Sequence, residues 1–567
     1  MFLARARAAG IPTSGLFGIE LDPEAARAAQ HQIDGIHLPG PAKPYHSPRS
    51  ARVHCGDLFA VTTAEFGHKF DAVVGNPPYV RQERLTRQQK ERIRQCLADD
   101  FPTIPASELD AVVGRGDLAA ACVLRALAFA RPGARIALVV SSALLDAGYA
   151  NRLWQAAARA GQVLALVDAP GERWFADAAV NPVILVMQVP VRPRSATWPD
   201  ARPGEPPASK PPAPAITIAR LTVSTAEAAR ALARSACDDP LDALASVADV
   251  RQASPSTPGH WARYLRAPAV WFEFERACGD ALVPLSTIAE VKRGVTSGAN
   301  DVFYLDRAQA ATLAIEPQVL LPLLRSPRQV LQIDVDPDQL DQFALVCPHD
   351  DRSLSRYPKA RQYLDDHRDT AGRPTLRGRN PWWALPAQPA RLFLTKAYGE
   401  RFVQRLARTP VLADQRVYAV HPRPTMQARP PARTPRHPAH PLDVQLLAAI
   451  LNSTFTTLAL ESLGRASLGE GALEWTVADA ASLPVLDPRQ YDARAQRQVC
   501  AALDRLARRS IGPVAAEHTM PDRADLDRAL ATIRPGLSEI LELAWPALIH
   551  SVERRNTRRH RPLEITR

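Results

Sequence analysis

Four consecutive residues, Asn76-Pro77-Pro78-Tyr79, have the chemistry to hold a flat amine. They follow the apolar run Asp71-Ala72-Val73-Val74-Gly75, which we predict to be a buried strand that stops at Asn76. Each proline fixes its own φ and lacks an N–H, so the carbonyls here are held rigidly as acceptors. Asn adds a side-chain carbonyl, and Tyr adds a flat face with a polar tip. The set suits a planar group with an exocyclic amine, although a plain proline-rich strand exit would look the same in isolation.

Two acidic residues lie at the ends of the strands predicted before this one. Glu20 is near the end of a strand over 15–21, and Asp57 follows a short strand near Val53. A carboxylate at a strand end can bind the hydroxyls of a ribose, and another can accept a hydrogen bond from an adenine amino group. Either acid alone is more often a helix cap or a solvated turn.

These residues need a sheet to position them, and residues 15–190 alternate between strand-like and helix-like segments. Further strands are predicted over 135–141, 162–168 and 182–188, and Asp117 is predicted to cap an amphipathic helix that ends near Arg131. Such alternation favours an α/β fold with a doubly wound, Rossmann-like sheet. Ligands of these sheets bind at the carboxyl ends of the strands, where Glu20, Asp57 and Asn76 are placed.

In order and spacing, Glu20, Asp57 and Asn76-Pro77-Pro78-Tyr79 resemble motifs II, III and IV of the S-adenosylmethionine-dependent amino-methyltransferases, which methylate adenine N6 in DNA. The same four residues also occur in glutamine methyltransferases of release factors, so the motif alone implies methyl transfer to a planar amine or amide. The resemblance implies that Glu20, Asp57 and Leu58 bind S-adenosylmethionine and that Asn76 to Tyr79 hold the amine. It also implies that Tyr79 and Phe175 stack on the base, although Phe175 is equally typical of a plain core residue.

One feature of the family is not found in the sequence. Family members begin with a strand and a Gly-rich turn that approaches the cofactor, whereas Phe2-Leu3 here resembles the segment just after that turn. We therefore expect a methyltransferase sheet that is N-terminally incomplete. The start could lie upstream, another polypeptide could supply the strand, or this copy could be decayed.

From about Trp261 the chain resembles the target-recognition region of restriction–modification adenine methyltransferases. The segments that carry the resemblance are 261–266, 285–305, Trp382-Trp383, 451–453, 464–473 and 483–484. The resemblance implies a mixed α+β domain that reads DNA, and a flexible Gly/Asn turn over 294–301 suits close approach to a phosphate backbone. The residues predicted to contact DNA are Lys292, Arg293, Gly294, Thr296, Ser297 and Asn300. An ordinary turn between strands explains the same residues if they are considered alone.

The predicted domain organisation follows from these segments and from a Pro-rich stretch. It comprises a methyltransferase domain (1–190), a linker or insertion (191–215), a connecting segment (216–280), a target-recognition domain (281–490) and a helical C-terminal segment with a basic tail (491–567).

Composition narrows the class of protein further. The 567 residues have a formal net charge of +11, which favours a polyanionic partner such as nucleic acid. The seven cysteines include no C-x-x-C pair, so neither a zinc site nor a disulfide framework is indicated, and a cytoplasmic location fits. No apolar run approaches the ~18–20 residues of a membrane span, so no membrane partner is expected.

The leading interpretation is a site-specific DNA adenine-N6 methyltransferase of a restriction–modification or related defence system. It would act on a flipped adenine of double-stranded DNA, need no metal, and work beside a restriction endonuclease or another defence subunit. The alternative is a catalytically silent DNA-binding specificity subunit of such a system. Methylation of a release factor or RNA is a weaker third option, because it leaves the large second half without a role.

Overall fold

The chain divides into two compact units, with the boundary between Leu265 and Arg266. The predicted connecting segment 216–280 lies across that boundary. The computed structural model describes residues 15–34, 52–145, 149–169, 174, 181–191, 215–235, 241–253, 261–423, 443–465 and 472–560. Most of the predicted linker, 192–214, lies outside them.

The first unit is built on mixed helices and strands, as predicted. Its strands are β1 Phe17–Glu20, β2 Arg52–Cys55, β3 Phe70–Gly75, β4 Ala130–Ser141, β5 Gln162–Asp168, β6 Pro182–Gln188, β7 Ile216–Leu221 and β8 Ala248–Ala253. Its helices are α1 Pro23–Asp34, α2 Arg87–Asp100, α3 Ala106–Arg115, α4 Leu118–Phe129, α5 Ala150–Ala160 and α6 Thr225–Arg234, followed at the boundary by α7 Ala262–Arg266.

Strands β3 to β8 form a six-stranded sheet in the order β3-β4-β6-β5-β7-β8, while β1 and β2 pair as a separate parallel sheet. The β3–β4 and β5–β7 pairs are parallel, and the β4–β6, β5–β6 and β7–β8 pairs are antiparallel. Strands β7 and β8 thus extend the sheet of the first unit beyond residue 190, where the sequence analysis predicted that the first domain ends. Among the described residues, no strand pairs with the outer edge of β3 or with the second edge of β1.

The position of β3 at an edge corrects the prediction that it is buried. Val74 is 48% exposed, and Ala72 and Gly75 are also exposed. An edge strand has a neighbour on one side only, so part of its surface faces solvent. Phe17 of β1 and Phe70 of β3 lie 5.3 Å apart between ring centroids, so an aromatic contact joins the two sheets where these strands begin.

Helix α4 is not amphipathic, contrary to prediction, because it is buried on almost every side beneath the sheet. Asp117 lies at its N-cap but its carboxylate makes no capping hydrogen bond. Asp22 does cap α1, since its Oδ1 accepts from the N–H groups of Glu24 and Ala25, both at 2.8 Å.

The second unit combines a large sheet with a helical core. Its strands are β9 Leu282–Pro284, β10 Ala289–Arg293, β11 Tyr304–Asp306, β12 Leu320–Leu324, β13 Asp334–Val335, β14 Gln342–Leu345, β15 Ala390–Thr395, β16 Ala397–Tyr398, β17 Arg405–Ala413, β18 Val417–Pro422, β19 Leu473–Glu474 and β20 Pro484–Leu486. Its helices are α8 Ala269–Cys278, α9 Leu285–Ile288, α10 Asn300–Phe303, α11 Arg307–Thr312, α12 Asp351–Leu354, α13 Pro358–Asp366, α14 Val444–Leu451, α15 Thr454–Leu463, α16 Val477–Ala481, α17 Ala493–Leu506, α18 Val514–Glu517, α19 Pro521–Ala531 and α20 Leu537–His560.

The main sheet of this unit runs β10-β18-β15-β17-β12-β14-β11, with β13 also paired to β17. Helices α14, α15 and α17 pack in its largest apolar cluster. Part of the predicted basic tail is helical, because α20 continues to His560 and Arg555 is buried against Glu461.

Within the described ranges, no single helix is long and apolar enough to cross a membrane. The bent pair α14 and α15 passes that test together, by length and composition only, and both helices lie in the core of the second unit.

Candidate functional site

The Asn76-to-Tyr79 segment leaves the carboxyl end of β3, as predicted. Asn76 is exposed, and its side chain makes no hydrogen bond with any described residue. Pro77 is buried and anchors the segment. The Tyr79 hydroxyl donates to the Val139 carbonyl of β4 at 3.2 Å, and burial raises the pKa of this tyrosine. The segment therefore presents the Asn76 amide, free to bind a ligand, next to the Tyr79 ring, whose hydroxyl is held by β4.

A second contact ties the segment to helix α4. The Leu118 N–H donates to the Val80 carbonyl at 2.9 Å, which brings Asp117 near the site. Burial raises the pKa of Asp117, and the nearby Arg81 only partly opposes that shift. The sequence analysis predicted Asp117 to be a helix cap.

The predicted acids of the first two strands lie side by side. Glu20 pairs in register with Cys55, and the Gly56 N–H donates to the Glu20 carbonyl at 2.9 Å. One oxygen of the Glu20 carboxylate accepts from the Asp22 N–H at 2.9 Å. Glu20 and Asp57 thus share the carboxyl edge of the two-stranded sheet, as predicted.

Asp57 also has a partner that the sequence did not indicate. Its Oδ1 accepts from the Phe59 N–H at 2.9 Å, and its Oδ2 forms an ion pair with Arg92 Nη2 at 2.5 Å. Arg92 lies on α2, and this contact spans 35 residues of sequence. A ligand that binds Asp57 must share its carboxylate with Arg92 or displace the guanidinium.

Arg125 of α4 anchors the loop that follows Asp57. It is 2% exposed, its Nε donates to the Leu58 carbonyl at 3.1 Å, and its Nη2 donates to the Val61 carbonyl. Its Nη1 bonds to Asp100, and its guanidinium lies 4.6 Å from the centroid of the Phe129 ring. Arg125 therefore fixes the backbone around Leu58, which the sequence prediction assigned to the cofactor.

In the second unit, the predicted DNA-contacting residues divide into two groups. Arg293, Thr296 and Asn300 are exposed, and the half-exposed Lys292 pairs with Glu290, Nζ to Oε2, at 3.1 Å.

Gly294 and Ser297 instead face inward. A Cβ on Gly294 would lie 2.2 Å from the Asp414 carbonyl oxygen. Ser297 is 1% exposed, and its hydroxyl donates to Asn300 Oδ1 and accepts from the Ala299 N–H at 3.2 Å. These two residues shape the turn.

The same turn forms hydrogen bonds and an ion pair with the segment 373–379. Arg373 makes two bonds to the Asp301 carboxylate, at 2.6 and 2.7 Å. The Thr375 hydroxyl donates to the Gly298 carbonyl at 2.7 Å, and Arg379 donates to the Thr296 carbonyl at 2.8 Å.

The remaining site predictions concern Phe175 and metal binding. Phe175 lies outside the described residues, and its neighbour Trp174 packs against a small apolar cluster of the first unit. Among the residues that the structure describes, no group of three or more His, Cys, Asp or Glu side chains could hold a metal ion.

Two family models match the chain. The model of the Eco57I restriction-modification methylases matches residues 49–175, and that of the C-terminal domain of the type II methyltransferase M.Eco57I matches residues 260–516. Together they account for more than half of the chain.

The chain is also similar to solved structures, and one of them has a TM-score above 0.5. The type IIL restriction-modification enzyme MmeI, solved in complex with DNA, is 14% identical with a TM-score of 0.52, over 96% of this chain and 67% of that chain. The type IIG restriction endonuclease BpuSI is 13% identical with a TM-score of 0.40, over 90% of this chain and 57% of that chain. The chain thus spans only part of the length of either protein.

Proposed function

Since the chain belongs to the restriction–modification methylases related to Eco57I, we propose that it methylates adenine N6 in double-stranded DNA with S-adenosylmethionine as donor. The observation that carries this proposal is the exposed Asn76 side chain at the carboxyl end of β3, free of bonds to described residues. An amide in that position can accept a hydrogen bond from a planar amine.

The chemistry that we assign to the segment is positioning of the amine. Asn76 Oδ1 and the Pro77 carbonyl accept the two N–H bonds of N6, so the nitrogen lone pair points along the line of attack. S-Adenosylmethionine supplies a methyl group that is already electrophilic, so the reaction needs no metal. Asn76 does not ionise, and the proton that N6 loses leaves to solvent. Orientation and hydrogen bonding then provide most of the rate.

An adenine inside a duplex cannot reach the end of β3, so the base must be flipped out of the helix. We assign Tyr79 as the platform on which the flipped base stacks, because its hydroxyl bond to Val139 fixes the direction of the ring. Phe175 is proposed as the second stacking residue.

The side chains at the edge of β1 and β2 fit the nucleoside part of the cofactor. Glu20 uses one carboxylate oxygen for the Asp22 N–H, and the other can accept from a ribose hydroxyl. Asp57 Oδ1 has a second lone pair beyond its bond to Phe59, which can accept from an adenine amino group. Leu58 is proposed to pack against the adenine ring, on a loop that Arg125 holds in place.

We assign the second unit to recognition of the DNA, with Lys292, Arg293, Thr296 and Asn300 as surface contacts. The net charge of +11 supports a polyanionic partner. A restriction endonuclease or another defence subunit is proposed as protein partner, and the cytoplasm as the location. Gly294 and Ser297 are proposed to contribute through the shape of the turn.

A catalytically silent specificity subunit is the second candidate. The ion pair between Asp57 and Arg92 favours it, because the guanidinium already pairs with the carboxylate that we assign to the cofactor. Calorimetry with S-adenosylmethionine separates the two candidates, since the silent form would give no binding heat.

The test of the proposed chemistry is Asn76→Ala, with Asn151→Ala on the exposed surface of α5 as the matched control. We expect Asn76→Ala to lose methyl incorporation into DNA by about two orders of magnitude or more, as when a positioned hydrogen-bonding group is removed from a reaction centre. DNA affinity should change little, because it depends mainly on phosphate contacts. Wild-type turnover in Asn76→Ala would rule out the role of this residue.

A further inference from the structure

A cleft of about 880 Å³ opens on the second unit and carries a strong excess of positive charge. It is lined by the loop 326–331, by residues between 395 and 405, and by Arg416. Its charged lining residues are Arg328, Lys396, Arg401, Arg405, Arg416 and a single carboxylate, Glu400. We call this feature the cationic cleft.

Arg405 is a buried positive charge without a counterion. It is 3% exposed, and its guanidinium donates to the carbonyls of Val330 at 2.9 Å and Val403 at 3.0 Å and to the Thr395 hydroxyl at 2.9 Å. These acceptors are neutral, and no described carboxylate lies within ion-pair distance of Arg405. Burial, with a smaller contribution from the nearby Arg401, lowers the pKa of Arg405 to about 10, and Tyr398 only partly opposes the shift.

Arg401 is a second cation of the cleft, and it has no bonding partner among the described residues. Its Nε is buried and makes no hydrogen bond with any described group. Two guanidinium groups close together repel each other, and the cost rises as they lose contact with water. An anion in the cleft would accept a bond from Arg401 and neutralise this repulsion.

The other charged residues of the cleft differ in whether they already have a bonding partner. Arg416 pairs with the buried Asp414 at 2.9 Å, and Glu400 accepts from the Asn556 amide at 3.0 Å. Lys396 and Arg328 have no described carboxylate within ion-pair distance. Lys396, Arg401 and Arg328 are thus the cations that a ligand can bind.

The lining also indicates which part of a nucleic acid would fit. The aromatic lining residue, Tyr398, is buried, stacks on Phe402 at 5.2 Å between ring centroids, and donates its hydroxyl to Gln404 at 2.8 Å. It presents no face on which a base could stack. Cations without a stacking surface suit phosphate groups.

We propose that the cationic cleft binds phosphate groups of a DNA strand, through Lys396 and Arg401 first. The proposal rests on DNA being the partner of this chain, as proposed above. The cleft would contribute to the affinity for DNA of any base sequence, because it binds phosphate groups. Free nucleotides offer the same phosphate chemistry, so the experiment must separate the two sources.

The test uses the full chain with Lys396→Gln and Arg401→Gln combined. Duplex DNA of about 20 base pairs and ATP are titrated separately into the wild type and the double variant. We expect the double variant to bind the duplex about tenfold more weakly at low salt. The slope of log K against log[salt] should become shallower by about two, since two phosphate contacts are lost.

The matched control is Arg352→Gln with Arg356→Gln, which removes the same charge from exposed positions that do not line the cleft. Equal effects of the two double variants on DNA binding would overturn the proposal, because net charge alone would then explain the loss. If the cleft variant loses ATP binding and keeps DNA binding, the phosphate chemistry is supported and DNA as its source is overturned. Thermal melting of all variants shows whether the fold is retained.

Methyl incorporation at saturating DNA separates failure of this proposal from failure of the proposed function. The cleft variant should raise KM for DNA and leave kcat within about twofold. A wild-type protein that binds DNA through the cleft and transfers no methyl group would contradict the proposed function and support the cleft assignment.

Discussion

Replacing Arg125 with methionine would release the loop that carries Asp57 and Leu58. The substitution keeps a long apolar stem but removes the donors to the Leu58 and Val61 carbonyls and the partner of Asp100. We expect a less stable first unit and a loop that exchanges its amide hydrogens faster.

The size of the effect follows from burial. Arg125 is 2% exposed, so its removal leaves Asp100, about one-fifth exposed, without its counterion and two carbonyls without their donor. Breaking a buried ion pair by deleting one partner costs about 3–5 kcal/mol. Since domains are stable by only ~5–15 kcal/mol, the first unit should lose a large share of its free energy of unfolding.

The assay is urea unfolding combined with hydrogen exchange of peptides that cover residues 52–61. Arg115→Met, at an exposed position at the end of α3, is the control and should change the free energy of unfolding by less than about 0.5 kcal/mol. Arg125→Lys should recover part of the loss, because it restores a charge beside Asp100. If Arg125→Met is as stable as the control and peptide 52–61 exchanges no faster, our account of how this loop is held is wrong.

Two further predictions concern Arg92 and Gly294. Arg92→Gln frees the Asp57 carboxylate, so the affinity for S-adenosylmethionine, measured by calorimetry, should rise by about two- to fivefold. The rise is small because a partly exposed ion pair is worth only ~0.2–1 kcal/mol. Weaker binding would mean that Arg92 supports the cofactor site. Gly294→Ala places a Cβ 2.2 Å from the Asp414 carbonyl oxygen and should lower the melting temperature of the second unit by several degrees. The control is Gly372→Ala, which should leave the melting temperature unchanged because a Cβ there meets open space. Equal melting temperatures for the two glycine variants would contradict the packing described around Gly294.

The parts of the fold that the sequence predicted well are those with local signals. Strands 162–168 and 182–188 were expected with the bounds that they have, because apolar β-branched runs mark buried strands. Capping side chains also act within a few residues, as Asp22 does at the start of α1, so such signals are local as well.

Long-range pairings could not be predicted in the same way. Arg92 and Arg125 reach Asp57 and Leu58 across 35 and 67 residues, and no local pattern marks them as partners. Strands β7 and β8 join the first sheet from beyond the Pro-rich stretch, where the composition suggested that the domain had ended. The exposure of β3 depends on which strands pair beside it, which its own residues do not encode.

The most direct measurement of the central claim is a genome-wide map of N6-methyladenine in the source cell, with and without the gene. We predict that deletion removes methylation from the adenines of one recognition sequence. The wild-type gene should restore it, and the gene with Asn76→Ala should not. Adenine methylation that is unchanged by deletion of an expressed gene would contradict the account.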